Sequence, residues 1–317
     1  MLAVIELVLP LFAIILLGFV AGTLARLKIE GLAWMNFYII YIALPALFYQ
    51  LLSRTAVSQF TQIGFILVSI GSTFSIFLLV YLIARWRKDR QPEATIQGLA
   101  AAYGNIGYMG VPLGLAAFGP GAAVPVALIF CFENTMHFIV VPLFMALDNS
   151  HKTTKFELIR QITVKIFSHP FIIATIVGVL ASVFSFKLPE FADQTLELLS
   201  KTAGPCALFA MGVSAALRPL KRVPVELCYI TPIKLILHPV LVYCLLLWLV
   251  PNLDPIWLYS AVLLATLPTA TNVFILAEQY GVWQQRASST IVISTLLAML
   301  TVTIFLYLVR SGWLLPG

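Results

Sequence analysis

The stretch "NIGYMGVPL", residues 105–113, lies inside a run apolar enough to cross a bilayer, yet it holds two glycines, an asparagine and a proline. Proline removes a backbone donor and clashes with the carbonyl four residues earlier, and glycine leaves helical angles readily. A helix interrupted in hydrocarbon strands peptide groups that water cannot reach. Such an interruption persists only where protein or a water-filled cavity satisfies those groups. The reading of these nine residues therefore decides between a simple span and a span broken for a purpose.

The surroundings establish that this is membrane. Of 317 residues, 61% are hydrophobic and only 10% charged, with mean hydropathy +1.00; a soluble domain carries about a quarter charged residues. Apolar runs of about 20 residues, the length of a span, recur at 2–24, 33–52, 60–84, 94–118, 121–147, 162–184, 193–217, 225–249, 256–279 and 287–309. The longest polar connection is the short "DNSHKTTKFELIRQ", so no soluble domain is expected between spans. The first run carries Glu6 and no basic segment before it, and is read as a span rather than a cleaved signal peptide.

Orientation follows from the loops. Odd-numbered loops hold Arg26, Lys28, Arg85, Arg87, Lys88, Arg90, Lys152, Lys155, Arg160, Lys165, Arg218, Lys221, Arg222 and Arg286, most of the 19 basic residues, whereas even-numbered loops hold little beyond Arg54 and Lys187. The positive-inside rule puts odd loops in the cytoplasm and both termini outside a cell membrane. This asymmetry accounts for the net charge of +6 and the pI near 9.2, so no nucleic-acid partner is implied. Cys131, Cys206, Cys228 and Cys244 all fall within spans without a CxxC pair, which points to neither disulfides nor zinc. No cofactor is expected.

A repeat is present at an offset of 160. Pro10 and Gly18 in "PLFAIILLGFVAG" match Pro170 and Gly178 in "PFIIATIVGVLAS", and Pro45 matches Pro205. The offset covers five spans, and an odd number per repeat inverts the second copy. The fold class is thus an all-α integral membrane protein of ten helices, with one repeat in 1–150 and the other in 151–317. In transporters of this plan the site forms near the midplane from broken helices. Asn105 to Pro112 lies about 10 to 17 residues into span four, and Pro268 of "LPTATNVF" about 12 residues into span nine, near the bilayer centre at 1.5 Å per residue. Half-helix N-termini attract anions, and Asn105, Thr269, Thr271 and Asn272 add uncharged donors. A packing kink is the alternative for either break alone.

At these residues the chain resembles the auxin efflux carriers. "NIGYMGVPLG" is similar to the N-x-x-x-M-G-[IV]-P-L signature of their fourth span, and "LPTATNVFILAEQYG" resembles a segment of their ninth, with Thr-Ala-Thr-Asn in place of different residues. The resemblance covers essentially the whole chain, without the long central loop of many plant members. It implies a transporter of organic anions, auxin-like or small mono- and dicarboxylates such as malate and malonate. It also implies a scaffold of spans 1, 2, 6 and 7, a moving part of spans 3–5 and 8–10 in an elevator-like cycle, and a substrate site at Asn105 and the backbone around Gly110, Pro112 and Pro268.

Ionisable groups at membrane depth are functional candidates by default. "CFENTMHF" in span five places Glu133 and His137 one turn apart, with Asn134 sharing the His137 face and counted with the substrate site. "KLILHP" in span eight sets Lys234 and His238 at the same spacing. A Lys–Glu pair between these helices is the candidate for carrying a coupling proton or offsetting substrate charge. Glu6, Arg54, Lys187, Lys201, Glu278 and Arg310 lie near span ends, where long side chains snorkel.

An enzyme is not indicated. Asp89, Asp148, Asp193 and Asp254 are all expected in loops, and neither GxSG nor HExxH occurs. The competing class is a sodium- or proton-coupled symporter or antiporter of a related crossover-helix fold. The expected partners are a small organic anion, the lipid bilayer, a coupling proton or sodium ion, and a second copy of the chain in a homodimer.

Overall fold

The computed structural model describes residues 2–25, 31–147, 155–217 and 223–314. The basic residues Arg26, Lys28, Lys152, Arg218, Lys221 and Arg222, together with Asp148, lie outside the described residues.

The described chain is helical. It runs through α1 (Leu2–Ala25), α2 (Leu32–Tyr38), α3 (Leu44–Leu52), α4 (Ile63–Trp86), α5 (Gln91–Ala102), α6 (Val111–Phe118), α7 (Ala123–Ala146) and α8 (Lys155–Phe167). It continues through α9 (Pro170–Val183), α10 (Glu190–Leu217), α11 (Leu227–Pro232), α12 (His238–Leu249), α13 (Pro255–Ala265), α14 (Asn272–Gln279) and α15 (Gln284–Arg310). Among the described residues, five helical runs are long and apolar enough to cross a membrane: Leu32–Leu52, Ile63–Trp86, Ile106–Ala146, Leu227–Leu249 and Gln284–Arg310. Leu9–Ala25, Pro170–Val183 and Pro255–Ala265 are shorter apolar helices. α10 has the length but carries Glu190, Asp193, Glu197 and Lys201 in its first half.

Large apolar side chains cover the surface as well as the interior, and a set of polar groups is buried among them. Leu16, Leu17, Leu24, Trp34, Leu67, Leu82 and Trp248 are exposed, while Gln97, Asn105, Glu133, Asn134, His137, Lys234 and His238 are buried. So much outward apolar surface is unstable in water and suits acyl chains. Buried polar groups then have to satisfy one another.

Proline placement explains the joints. π-turns at Ile39–Ala43, Ile106–Gly110 and Ile233–Leu237 join α2 to α3, lead into α6, and join α11 to α12. Each is followed two residues on by a proline: Pro45, Pro112 and Pro239. The wider turn gives the ring room where a regular α-turn would set it against a carbonyl. Pro112 therefore does not end its helix, and the interruption expected across 105–112 is shorter. α5 stops at Ala102, Tyr103 is extended (φ −76°, ψ 101°), Asn105 is non-helical (φ −78°, ψ 58°), and helix resumes at Ile106. The second interruption spans the residues between Ala265 and Asn272. Two further expectations are corrected. The sixth apolar run divides at Ser168–His169, because extended backbone at His169 (ψ 123°) precedes Pro170 at the start of α9. Asp193 lies in the first turns of α10 rather than a loop, where it pairs with Arg54 at 2.8 Å.

Two glycines set close helix contacts. A Cβ on Gly212 of α10 would stand 1.9 Å from the Ile15 carbonyl oxygen of α1, and one on Gly18 would stand 2.2 Å from that of Phe209. A side chain at either position would force these backbones apart.

Candidate functional site

The two interruptions meet. Asn105 N–H donates to the Pro268 carbonyl at 2.9 Å and Ala270 N–H donates to the Tyr103 carbonyl at 2.9 Å, an antiparallel bridge between Gly104 and Thr269. Thr269 Oγ1 donates to the Ala100 carbonyl at 2.8 Å, and Thr269 N–H donates to Ser294 Oγ at 3.1 Å. The peptide groups freed by each break are thus taken up largely by the other, which answers the requirement set by the sequence. Gly104 permits the approach, since a Cβ there would lie 3.1 Å from the Leu264 carbonyl oxygen and 3.3 Å from Lys234 Nζ.

The crossing has two electrostatic faces. On one, α5 and α13 end, and their last carbonyls carry the negative pole of each helix, equivalent to about half a charge. Lys234, fully buried, points its ammonium at both: Nζ donates to Ala102 O at 3.4 Å and Ala265 O at 3.3 Å. On the other face, helix restarts at Ile106 and at Asn272, presenting the positive pole of each helix. Their leading N–H groups turn back on the preceding residues, Ile106 to the Gly104 carbonyl at 2.8 Å, Val273 to that of Ala270 at 3.1 Å and Phe274 to that of Thr271 at 3.0 Å.

Lys234 also begins a chain of hydrogen bonds. Nζ stands 3.1 Å from His238 Nδ1, His238 Nε2 stands 3.1 Å from Thr73 Oγ1, and Thr73 Oγ1 donates to Glu133 Oε1 at 2.8 Å. Thr73 has one proton and gives it to the carboxylate, so Nε2 must be the donor to Thr73 and Nδ1 the acceptor from lysine. This tautomer is assigned by partner logic. Every proton in the chain then points from Lys234 toward Glu133. The expected Lys–Glu pair is thereby changed: the two are linked through His238 and Thr73. Beside this chain, His137 stacks on Tyr103 with ring centroids 4.4 Å apart. Its ring nitrogens make no hydrogen bond among the described residues.

Tyr103 ties three spans together. Its hydroxyl donates to Asn134 Oδ1 and accepts from Asn272 Nδ2 at 2.8 Å, and its carbonyl holds Ala270.

On the N-terminal face of the crossing is a cavity of about 330 Å³. Asn105, Thr271 and Asn272 line it, with Tyr41, Tyr103, Phe130, Phe138, His169 and Phe171. The Asn105 amide donates to Met211 Sδ at 3.4 Å, a weak acceptor that an anion would readily replace. The other residues singled out in the sequence lie elsewhere. Gly110 packs against Leu264 and Leu267, Pro112 against Gly204, and Pro268 and Thr269 hold the bridge. Asn134, Glu133, His137, Lys234 and His238 are buried behind the cavity wall rather than lining it. Sequence reading missed Tyr103, Thr73 and His169. The one signal for His169 was a histidine directly before the proline that opens an apolar run.

Comparison with known proteins finds membrane transporters. A family model described as "Membrane transport protein" matches residues 3–306. A protein of Rhizobium meliloti (strain 1021) named "Putative malonate transporter" is 53% identical over 307 residues, 96% of each chain. The "Uncharacterized transporter YfdV" of Escherichia coli (strain K12) is 24% identical over 310 residues, 95% of this chain and 96% of that one. An "Uncharacterized transporter" of Methanothermobacter thermautotrophicus is 24% identical over 305 residues, with 95% and 96% covered.

Proposed function

The chain belongs to the membrane transport protein family, a multi-pass transporter and not an enzyme, and from that premise we propose that it carries small organic anions, dicarboxylates such as malonate among them, by alternating access. The observation that carries this reading is the cavity on the N-terminal face of the crossing. Two helix starts contribute about half a positive charge each, and Asn105, Thr271 and Asn272 supply oriented polar groups in an aromatic enclosure. An arriving carboxylate exchanges water for these donors, and Asn105 exchanges Met211 sulfur for a charged oxygen. The relative named for malonate, aligned over 96% of both chains, supports a small diacid.

The proposed architecture is two inverted five-helix repeats, residues 1–150 and 151–317, with both termini outside. Support comes from paired contacts at the offset of 160: Gly18 of α1 packs on α10, while Gly178 of α9 packs on Leu52 and Tyr49 of α3. Spans one and seven thus meet as spans six and two do. Scaffold spans 1, 2, 6 and 7 and moving spans 3–5 and 8–10 then meet at the cavity. Ile40, Tyr41, His169 and Phe171 come from the first set and Asn105 and Asn272 from the second. Sliding one set past the other opens the cavity to alternate sides, as in an elevator.

For coupling, the proton reading is favoured over sodium. The two carbonyls at the crossing that would suit a bound cation already accept from Lys234 Nζ, and the directed chain ends on Glu133, which can take up a proton. The test is uptake into proteoliposomes of radiolabelled malonate, malate, acetate and indole-3-acetate under imposed proton or sodium gradients. Saturable malonate uptake is expected, faster with a proton gradient and indifferent to sodium. Absence of saturable uptake or exchange for every anion in the panel would overturn the reading.

A further inference from the structure

A dicarboxylate sets the cavity a problem that the crossing alone does not solve. The two helix starts together amount to about one positive charge, enough to balance a single carboxylate. Lys234 does not line the cavity and gives its hydrogen bonds to the opposite, C-terminal ends of the broken helices, so it offers the second carboxylate no direct partner. A second carboxylate in a low-dielectric cavity needs its own cation or strong donor. Among the described residues lining the cavity, His169 is the one whose side chain can carry a positive charge.

Its position is fixed by sequence. His169 sits in extended backbone between α8 and α9, held there by Pro170, and its ring lies between two aromatic neighbours, 5.1 Å from Phe138 and 5.0 Å from Phe171 by ring centroids. It reaches the cavity from the segment that leads into α9, whereas Asn105 and Asn272 come from the crossing, so the two recognition elements stand on separate parts of the chain. We propose that His169 binds the second carboxylate of a diacid whose first carboxylate sits at the helix crossing, and so sets a preference for diacids over monoacids. The proposal rests on the organic-anion reading above and specifies its substrate class. Arg160 is the neighbouring alternative: with Glu157 it lines an adjacent cavity of about 630 Å³ that shares Gln279 with this one.

The test is equilibrium binding to purified protein of malonate and of monomethyl malonate, which has nearly the same size and one carboxylate fewer. Wild type is expected to favour malonate by about tenfold or more, the discrimination of one charged hydrogen bond. His169→Gln should lose most of that preference while still binding the monoester within about threefold of wild type, which also shows that it is folded. His169→Lys and Arg160→Gln should keep the preference. Loss of preference in Arg160→Gln but not His169→Gln would overturn the assignment, as would an equal loss of both ligands in His169→Gln. If His169→Gln does not fold, equal binding of the two ligands by wild type would still refute the proposal. Wild type that binds neither ligand sinks the organic-anion reading itself, and this proposal with it; malonate binding with an unchanged ratio in His169→Gln sinks this proposal alone.

Discussion

Lys234→Met tests whether the crossing depends on a built-in cation. Methionine keeps the length and apolar stem of lysine, so the perturbation is the ammonium and not a cavity. Three acceptors lose their donor: Ala102 O at 3.4 Å, Ala265 O at 3.3 Å and His238 Nδ1 at 3.1 Å. A buried acceptor left without a partner costs about 1–3 kcal/mol. The long distances put each carbonyl near the low end, giving about 3–5 kcal/mol together, which is also the usual cost of removing one partner from a buried charged pair. Relief of the lysine's own desolvation works the other way, but Glu133 would then be left without its distant counter-charge. The net is a destabilisation of about 3–5 kcal/mol, or about 6–10 °C in Tm for a chain of this size. Thermal unfolding in detergent, followed by tryptophan fluorescence, reads it directly. Adding Glu133→Gln to Lys234→Met should recover part of the loss, since the charge at each end of the chain then disappears together. A Tm within about 2 °C of wild type for Lys234→Met, about one kcal/mol or less on the same scale, would refute the argument that Lys234 holds the two helix ends.

Asn105→Ala is expected to weaken malonate binding by about 1–3 kcal/mol, five- to over a hundredfold, with little change in Tm because among the described residues its amide donates to the weak acceptor Met211 sulfur; titration calorimetry measures the first and thermal unfolding the second. Glu133→Gln should keep the Thr73 hydrogen bond through its amide oxygen and leave malonate binding intact while abolishing acceleration of uptake by a proton gradient, and surviving gradient dependence in folded protein would rule out Glu133 as the coupling group. Gly212→Ala should cost about 1–3 kcal/mol or more, since its Cβ would fall 1.9 Å from the Ile15 carbonyl oxygen, whereas Gly71→Ala, with nothing within 4 Å, should be neutral or mildly stabilising by thermal unfolding.

How much of this was visible in the sequence depends on which physical property each feature expresses. Span placement expresses hydropathy, and five of the helical runs among the described residues are long and apolar enough to cross a membrane. The two interruptions express local backbone chemistry, so Asn105 and Pro268 were found, and they turn out to be hydrogen-bonded to each other. What failed was the inference from residue type to local consequence. Pro112 reads as a helix breaker, but a π-turn upstream accommodates its ring, and the interruption falls at Tyr103–Asn105 instead. Thr73 was invisible for a different reason. In an apolar span a threonine is unremarkable, and only the packing of α4 between α7 and α12 makes it the link from His238 to Glu133. Tyr103 likewise acts through its main-chain carbonyl and a hydroxyl shared with Asn134 and Asn272, none of which a hydropathy or motif reading detects.

His169 shows how the proposed repeat is legible in position but not in use. At the offset of 160, Pro170 corresponds to Pro10 and His169 to Leu9. Pro10 sits within an unbroken α1, and Leu9 is exposed on its outer side. Pro170 instead opens α9, and the chain before it turns aside so that His169 reaches the cavity. On the proposed repeat the two halves share prolines and close-packed glycines at matching positions. Among the many positions at which they differ is the one where a histidine faces the cavity. A transporter with two inverted halves presents its substrate with nearly equivalent surroundings from either side, and a cation supplied by only one half removes that equivalence. On the proposed reading, the residue before the proline that opens α9 is one source of asymmetry in the transport cycle, apart from the crossing that the sequence motif marks.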